Sequence, residues 1–526
     1  MTSSPLSQSA SALVQLDPSD NVAIATSPLS PGQRVSVSGS EPLHVSIAIP
    51  RGHKVAVRSI SIGDAVVKFG QPIGRATSTI QLGDHVHSHN LTDDHVVRGA
   101  TSQESASPAD ASPTLKRTFQ GFHRPDGRVG TRNYVAIIST VNCSATVCHE
   151  VVKHFTTERL KRWPNVDGIF AATHTTGCAL QYHGIKHQML GRVLAGYTDH
   201  PNVGGALVIG LGCEQTTSGY LSKHHGLVSL HAPDGTNLTG DQGIPMMTMQ
   251  TEGGTRATIA KAIPLVESIL DRANECGRGD ADASHLTIGV ECGGSDGYSG
   301  ITANPAVGIV SDRIVACGGT SVISETTELY GAEHLLIARS RSADVSQKLL
   351  DKIEWWKEYV AKFGGQIDNN PSVGNKAGGL TTITEKSLGA VSKSGSTPMQ
   401  EVYDYAERID RKGLVVMDSP GFDPASVTGK VAGGANLILF TTGRGSCFGC
   451  KPSPVIKIAT NTPMYETMAD DMDLNAGEII EGQSVEAVGD RFFEYALRVA
   501  SGEKTSSEQL GVGDHEFVPW TVGPTL

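Results

Sequence analysis

The sequence predicts an α/β protein in which a small N-terminal β domain precedes two α/β domains, and three observations carry that expectation. At 526 residues the chain exceeds what one hydrophobic core serves, and about three domains are expected. Up to Arg98 the apolar stretches are short and broken by Gly, Pro and Asp, the texture of compact β structure without helical periodicity. Beyond Phe119, continuous apolar runs alternate with helical patterns, which is how parallel strands and crossover helices read.

Taken in order, residues 1–12 carry no positive charge and no long apolar core, so they resemble neither a secretory signal nor a transit peptide and read as a disordered tail. The β domain, 13–98, contains NVAIAT, EPLHVSIAIPRGHKVAVRSI, DAVVKFGQPIGRAT and STIQLGDHVHSHNL. Residues 99–117, rich in Ser, Ala and Pro, have the composition of a flexible linker. The first α/β domain, 118–278, offers the strands NYVAIIST, GIFAATH and GALVIGLG and the helix TRATIAKAIPLVESILDRANE. The segment CGRGDADAS marks the next break. The C-terminal α/β domain, 279–526, opens with HLTIGVE and continues through the helix SADVSQKLLDKIEWWKEYVAKFG and the strands GLVVMDSP and ANLILFTTG. Strands here run into glycine-rich loops, and ligands of α/β sheets sit beyond the carboxyl ends of strands, so chemistry should collect on those loops.

Composition narrows the function. The formal net charge is −11 and no Lys/Arg cluster interleaves with aromatics, so the expected partners exclude nucleic acid. An acidic total still admits an anionic small molecule, because a pocket needs only a few local cations. No apolar run is long enough to cross a bilayer, which sets a membrane aside. Nine cysteines are too few for a disulfide scaffold and odd in number, which fits a reducing, cytoplasmic setting. Neither a GxGxxG fingerprint after the first strand nor a GxxxxGK[ST] loop is present, so a nucleotide cofactor loses support.

Four sets of residues are candidates for chemistry. His85, His87 and His89 alternate, and on a strand they project from one face, an arrangement that suits a divalent transition metal as well as a solvated polar face. His53 is a weaker candidate. Cys143, Cys178 and Cys213 are spaced 35 residues apart at strand ends, and Cys292 follows another strand. Thiolates there would bind iron or an iron–sulfur cluster, or one would be a nucleophile; against this, a single Cys at a turn is most often a buried packing residue. The loop from Glu291 to Gly300 supplies Ser295, Asp296 and Ser299, followed by Thr302 and Asn304, donors and acceptors that match a polyol. Asn375 and Lys376 in one glycine loop, and Arg444 in another, place a cation where a carboxylate would be clamped. His174, directly after GIFAA, is the expected general base, with a turn-capping role as the alternative; Lys457 reads as a strand residue facing solvent.

The ordered series GHKVA, HVHSHN, GRVGTRN, THTTGC, VIGLGCE, ECGGSDGYSGITANPAVG, NPSVGNKAGGLTT, EKSLG, KSGS, FTTGRG and IKIATN resembles the altronate/galactarate dehydratase family from about Asn21 to Gly477. The resemblance implies an N-terminal β-clip (SAF-like) domain followed by two α/β domains. It implies dehydration of a hexonate or hexarate to a 2-keto-3-deoxy acid, with a divalent metal, ferrous iron or manganese, as cofactor. HVHSHN is nearer the altronate branch, whereas Ser446 to Cys450 departs from the Thr-Pro-Tyr-Gly expected after the TTGRG motif and leaves the substrate open. A sulfolactate-type lyase and a non-catalytic sugar-acid binder are the competing readings. A small sugar acid and further copies of the chain are the expected partners.

Overall fold

The computed structural model describes residues 12–37, 41–93, 114–226 and 244–522, so residues 1–11 of the expected tail and most of the expected linker lie outside the described residues. The N-terminal domain is built on turns. Ser30–Gln33, Pro50–His53, Ser61–Asp64 and Gln81–Asp84 are each closed by a backbone bond from the fourth residue to the first. Each carries glycine at its third position with positive φ, the geometry of a type II turn. Between them, Val22–Ala25 pairs antiparallel with Leu13–Val14 and with Lys54–Ala56, and the latter pairs with His85–Val86. A second sheet joins Ala65–Lys68, Gln71–Ala76 and Leu91–Thr92.

The second domain is a parallel sheet with Tyr134–Ser139 between Gly168–Ala172 and Val203–Gly210, and Met246–Thr248 at the far side. The helix Thr255–Asn274 forms as its periodicity predicts, burying Ala262, Val266, Ile269 and Ala273 on one stripe. The third domain is a seven-stranded parallel sheet in the order Met399–Tyr403, Gly413–Met417, Thr320–Ile323, Thr287–Cys292, Leu437–Thr442, Val455–Ala459, Leu474–Asn475. In both sheets the first strand in sequence has its successor on one side and a later strand on the other. The reversal lies between Tyr134–Ser139 and Val203–Gly210 in one, and between Thr287–Cys292 and Leu437–Thr442 in the other. Beyond the carboxyl ends at such a reversal the loops part and leave a crevice.

The segment read as the second break is itself structured. Arg278–Asp282 pairs antiparallel with Thr118–His123, so the chain entering the second domain and the chain leaving it form a small sheet together with Val129–Gly130. Glycines and aspartates hid this strand, because its stability comes from a partner about 160 residues away rather than from its own propensity.

The β domain docks on the third domain through the turn Pro50–His53. Gly52 packs so closely on Gly297 and Gly379 that a side chain at either would overlap its carbonyl. The Tyr298 hydroxyl donates to the Ala25 carbonyl at 2.6 Å. Lys54 and Lys68 reach across to Glu385 at 2.8 Å each, all three side chains buried.

Candidate functional site

The histidine-rich segment is shorter as a strand than its alternation suggests: only His85–Val86 is paired. Asn90 curls the rest, accepting from the His87 amide at 3.0 Å and donating to the His85 carbonyl at 3.0 Å. The imidazoles still gather. His53 Nδ1 lies 3.0 Å from His85 Nε2, and the ring centroids of His85 stand 5.4 Å from those of both His87 and His89. His53 therefore belongs with the other three, carried there by the cross-strand pairing of Val55 with His85. Burial pulls His53 down to about 4 and His85 to about 3, the neighbouring imidazoles adding to it, and His87 is lowered as well, so these rings are neutral near pH 7. His53 Nε2 and His87 Nε2 meet the carbonyls of Ala377 and Lys376 at 3.2 and 2.9 Å. The loop that predicted a carboxylate clamp is thus the floor of the histidine cluster.

The opposite side of that loop borders a cleft of about 380 Å³ lined by Arg51, Asp296, Tyr298, Gly378, Arg444 and Asn461. Asp296 accepts from Thr460 and Asn461 and, near its own turn, from Ser299 and the Tyr298 amide. Burial raises its carboxyl pKa against those bonds. Arg444 is exposed and makes no ion pair among the described residues, and Arg51 stacks on Tyr298 at 5.4 Å. Other predicted polyol contacts are committed to the fold. Thr302 donates to the Thr460 carbonyl, Asn304 bridges Gly389 and Thr441, and Asn375 closes a capping box while donating to the Ser295 carbonyl. Ser295 is buried at the same loop. Lys376 contributes its carbonyl to the histidines, and its side chain makes no ion pair among the described residues.

Cys292 does not join the other cysteines. It is buried, with its thiol 3.7 Å from Glu325 and 3.8 Å from Glu328, and burial followed by the Glu325 charge pushes it up to about 12. Glu291, Glu325, Glu328 and Asp423 here face Lys386, Lys393 and Lys430. Lys393 holds Glu325 at 2.9 Å, Lys386 holds Glu328 at 2.6 Å, and Lys430 pairs with Glu291. Burial opposes ionisation of Glu325, yet the lysines hold it below the usual carboxylate range; burial and the glutamate charges raise Asp423 to about 7. Two donor sets lie close enough for one ion: Cys292, Glu325 and Glu328, and Glu291, Glu325 and Asp423. Glu291 Oε1 and Glu325 Oε1 are buried without a hydrogen-bond partner, and Glu325 has a left-handed backbone at φ 63°. Unpartnered carboxylate oxygens in a core are costly unless a cation completes them, so this donor set fits a divalent metal. A cavity of about 10 Å³, room for about one water, lies among Lys68, Cys292, Asp296 and Lys386.

Sequence reasoning missed these acids and lysines. Their signal was charge inside apolar or small-residue context: Glu291 ends a buried strand, Lys430 sits in a wholly buried helical stripe, and Lys386 and Lys393 lie in the motifs EKSLG and KSGS. Lys457 corrects an expectation. It is buried, donating to the Phe448 carbonyl at 3.1 Å, because its strand lies inside the sheet and is covered on both faces.

His174 lies in the second domain. Its Nε2 meets the Ser139 carbonyl at 3.0 Å, its Nδ1 accepts from the Thr176 amide at 3.2 Å, and burial lowers it to about 4. Both nitrogens are spent on backbone, as in a loop staple. Cys143, Cys178 and Cys213 are exposed on that domain's strand-end loops. A cavity of about 810 Å³ opens at the amino ends of the strands near Pro201 and Asn436 and holds none of the predicted residues. No helix among the described residues is long and apolar enough to cross a membrane.

Comparison with known families covers the same three domains. Residues 11–94 match the altronate/galactarate dehydratase SAF domain, 121–274 the second domain of D-galactarate dehydratase/altronate hydrolase, and 283–525 the C-terminal domain of D-galactarate/altronate dehydratase. The altronate dehydratase of Bacillus subtilis (strain 168) is 35% identical over 500 residues, 94% of this chain and 96% of that protein. The galactarate dehydratase (L-threo-forming) of Escherichia coli (strain K12) is 34% identical, covering 95% of each chain. The (2R)-sulfolactate sulfo-lyase subunit beta of Chromohalobacter salexigens is 33% identical over 76% of this chain and 97% of its own. With its three domains in the same order and its length matched nearly throughout, the chain belongs to the altronate/galactarate dehydratase family.

Proposed function

We propose that the protein removes water from a sugar acid, an altronate-type hexonate or a galactarate-type hexarate, to give the 2-keto-3-deoxy acid. The observation that carries this reading is one cleft of about 380 Å³ in which Arg51, Arg444 and Asp296 meet, with neutral imidazoles packed on the Lys376 and Ala377 carbonyls of the loop that borders it. A guanidinium binds a carboxylate in two parallel hydrogen bonds, and the exposed Arg444 makes no ion pair among the described residues that would compete. Removing the proton next to that carboxylate moves charge onto it, so the same guanidinium binds the transition state more tightly than the ground state. His85 is unprotonated near neutral pH and is assigned the proton, with His53 on its Nε2 and His87 held on the Lys376 carbonyl beside it; Asp296 orients hydroxyls along the chain of the acid. Ferrous iron at Cys292, Glu325 and Glu328 would supply Lewis-acid help to the leaving hydroxyl. Nine free cysteines fit a reducing, cytoplasmic setting, and further copies of the chain are the expected partner.

Keto-acid release from altronate, galactarate and related aldonates, measured anaerobically with ferrous iron, tests the proposal. Arg444→Met should raise KM about tenfold or more. No keto acid from any of these substrates defeats it. The sulfo-lyase relative warrants one further arm: sulfite released from sulfolactate, with the sugar acids untouched, moves the assignment to that chemistry.

A further inference from the structure

We propose that Cys143, Cys178 and Cys213 form a three-thiolate site for a cubane iron–sulfur cluster, with one iron left open to an oxygen ligand of a hydroxy acid. The three residues occupy the carboxyl ends of three adjacent parallel strands, two of which flank the point where strand order reverses. A crevice forms at that position for topological reasons.

The loops are tied to one another rather than loose. The Asn142 amide donates to the Thr176 carbonyl at 2.9 Å, and the Gln215 amide to the Gly177 carbonyl at 3.1 Å. Glu214, itself buried, accepts from the Thr140 hydroxyl and from the Gly212 amide at 2.7 Å each. Gly177 and Gly212 immediately precede Cys178 and Cys213 with φ of 105° and 125°, where a side chain would overlap Thr140 and Gln250. Ala179, just after Cys178, is held at φ 53°. Backbone strain concentrated on both sides of a thiol is a feature of sites rather than of spare surface.

Spacing argues against a single ion. A single tetrahedral ion with metal–sulfur bonds of ~2.3 Å would draw its thiolates to about 3.8 Å apart. These three sulfurs are not among the donor sets whose atoms all lie within 4.8 Å of one another, so they are not gathered around a single ion, and the proposed cluster puts an iron at each of three corners of a larger body. Each thiol gives up its proton as it binds. All three are exposed, which leaves the fourth corner accessible to a small acid.

The test uses the full chain and no turnover, so it stands whether or not the sugar-acid assignment holds. The protein is incubated anaerobically with ferrous ion, sulfide and reductant, desalted, and assayed for iron, acid-labile sulfide and visible absorption. About four irons and four sulfides per chain are expected. Cys143→Ser, Cys178→Ser and Cys213→Ser should each lose most of both, whereas Cys276→Ser, at a cysteine remote in the fold, should keep them. Circular dichroism confirms that each variant is folded. One metal ion per chain without labile sulfide, cluster content equal in all variants, or a Cys143–Cys178 disulfide in protein never exposed to air overturns the proposal.

Discussion

The two parallel sheets reverse strand order in the same way, yet the crevices they create hold opposite chemistry. In the second domain nothing among the described residues covers the loops, and three exposed thiols stand there. In the C-terminal domain the N-terminal β domain lies over the loops, and behind them three carboxyl groups, three lysines and one thiol are buried together, with Asp423 half-buried at their side. Topology supplies the crevice; what caps it sets its dielectric, and the dielectric decides whether charge pairs are needed. Removed from water, Glu325 and Glu328 require Lys393 and Lys386, whereas solvent itself screens an exposed loop.

The sharpest way to break the comparison is to remove one buried charge. Glu325→Gln leaves Lys393 without its carboxylate and takes away a ligand of the donor set, so divalent-ion binding by calorimetry should vanish and turnover should fall about 10³-fold or more. Unfolding in urea should show a cost of about 3–5 kcal/mol. Unchanged ion affinity would mean that the lysines alone complete the cluster.

The cap is tested next. Lys54→Met deletes one of two cations on Glu385, whose carboxyl burial would raise but Lys54 and Lys68 hold well below the usual carboxylate range. A loss of about 3 kcal/mol is expected, and hydrogen exchange should rise in the β domain and in residues 374–386 while the second domain stays protected.

Acid should then separate the buried histidines from the carboxylate pairs. His174 is a neutral staple within the second domain and His200 one between that domain and the Ala435 carbonyl of the C-terminal domain, lowered by burial to about 4 and about 3. The unfolded chain takes up these protons near pH 6.5 and the folded chain does not, so their contribution is complete above pH 6.5 and is lost progressively towards pH 3. Glu385 contributes above its unfolded value of 4.5, and that contribution fades only as pH falls below it. His53 and His85, under the β-domain cap, are lowered by burial in the same way, so at pH 5 peptide-level hydrogen exchange should rise around His174 and around this histidine cluster before it rises around Glu385; the reverse order would refute the contrast. The smallest effect is expected at the open crevice. Cys178→Ser in metal-free protein should change stability by no more than about 0.5 kcal/mol, because the side chain is exposed.

Much of the site was legible in the sequence because certain residue types announce a loop. Glycines beside Asp296, Gly378 and Arg444 marked the cleft, and those loops do meet. The histidines were recognisable from their alternation, although the strand reading was too long: Asn90 curls the backbone with side-chain bonds that periodicity cannot reveal. Cys292 was grouped with the other cysteines as a thiol at a strand end, and only its neighbours separate it from them.

By itself the sequence determined the order of domains, the parallel α/β character and the glycine loops, since these follow from local hydrophobic period and backbone freedom. The tertiary structure decided which loops share a crevice and which are capped. It joined Lys54 and Lys68 to Glu385 across more than 300 residues and gathered Glu325 and Glu328 around Cys292, with Asp423 beside Glu291 and Glu325. A lone Lys or Glu in an apolar stretch costs too much to bury until its partner arrives, and that partner is fixed by strand order, which no local window contains.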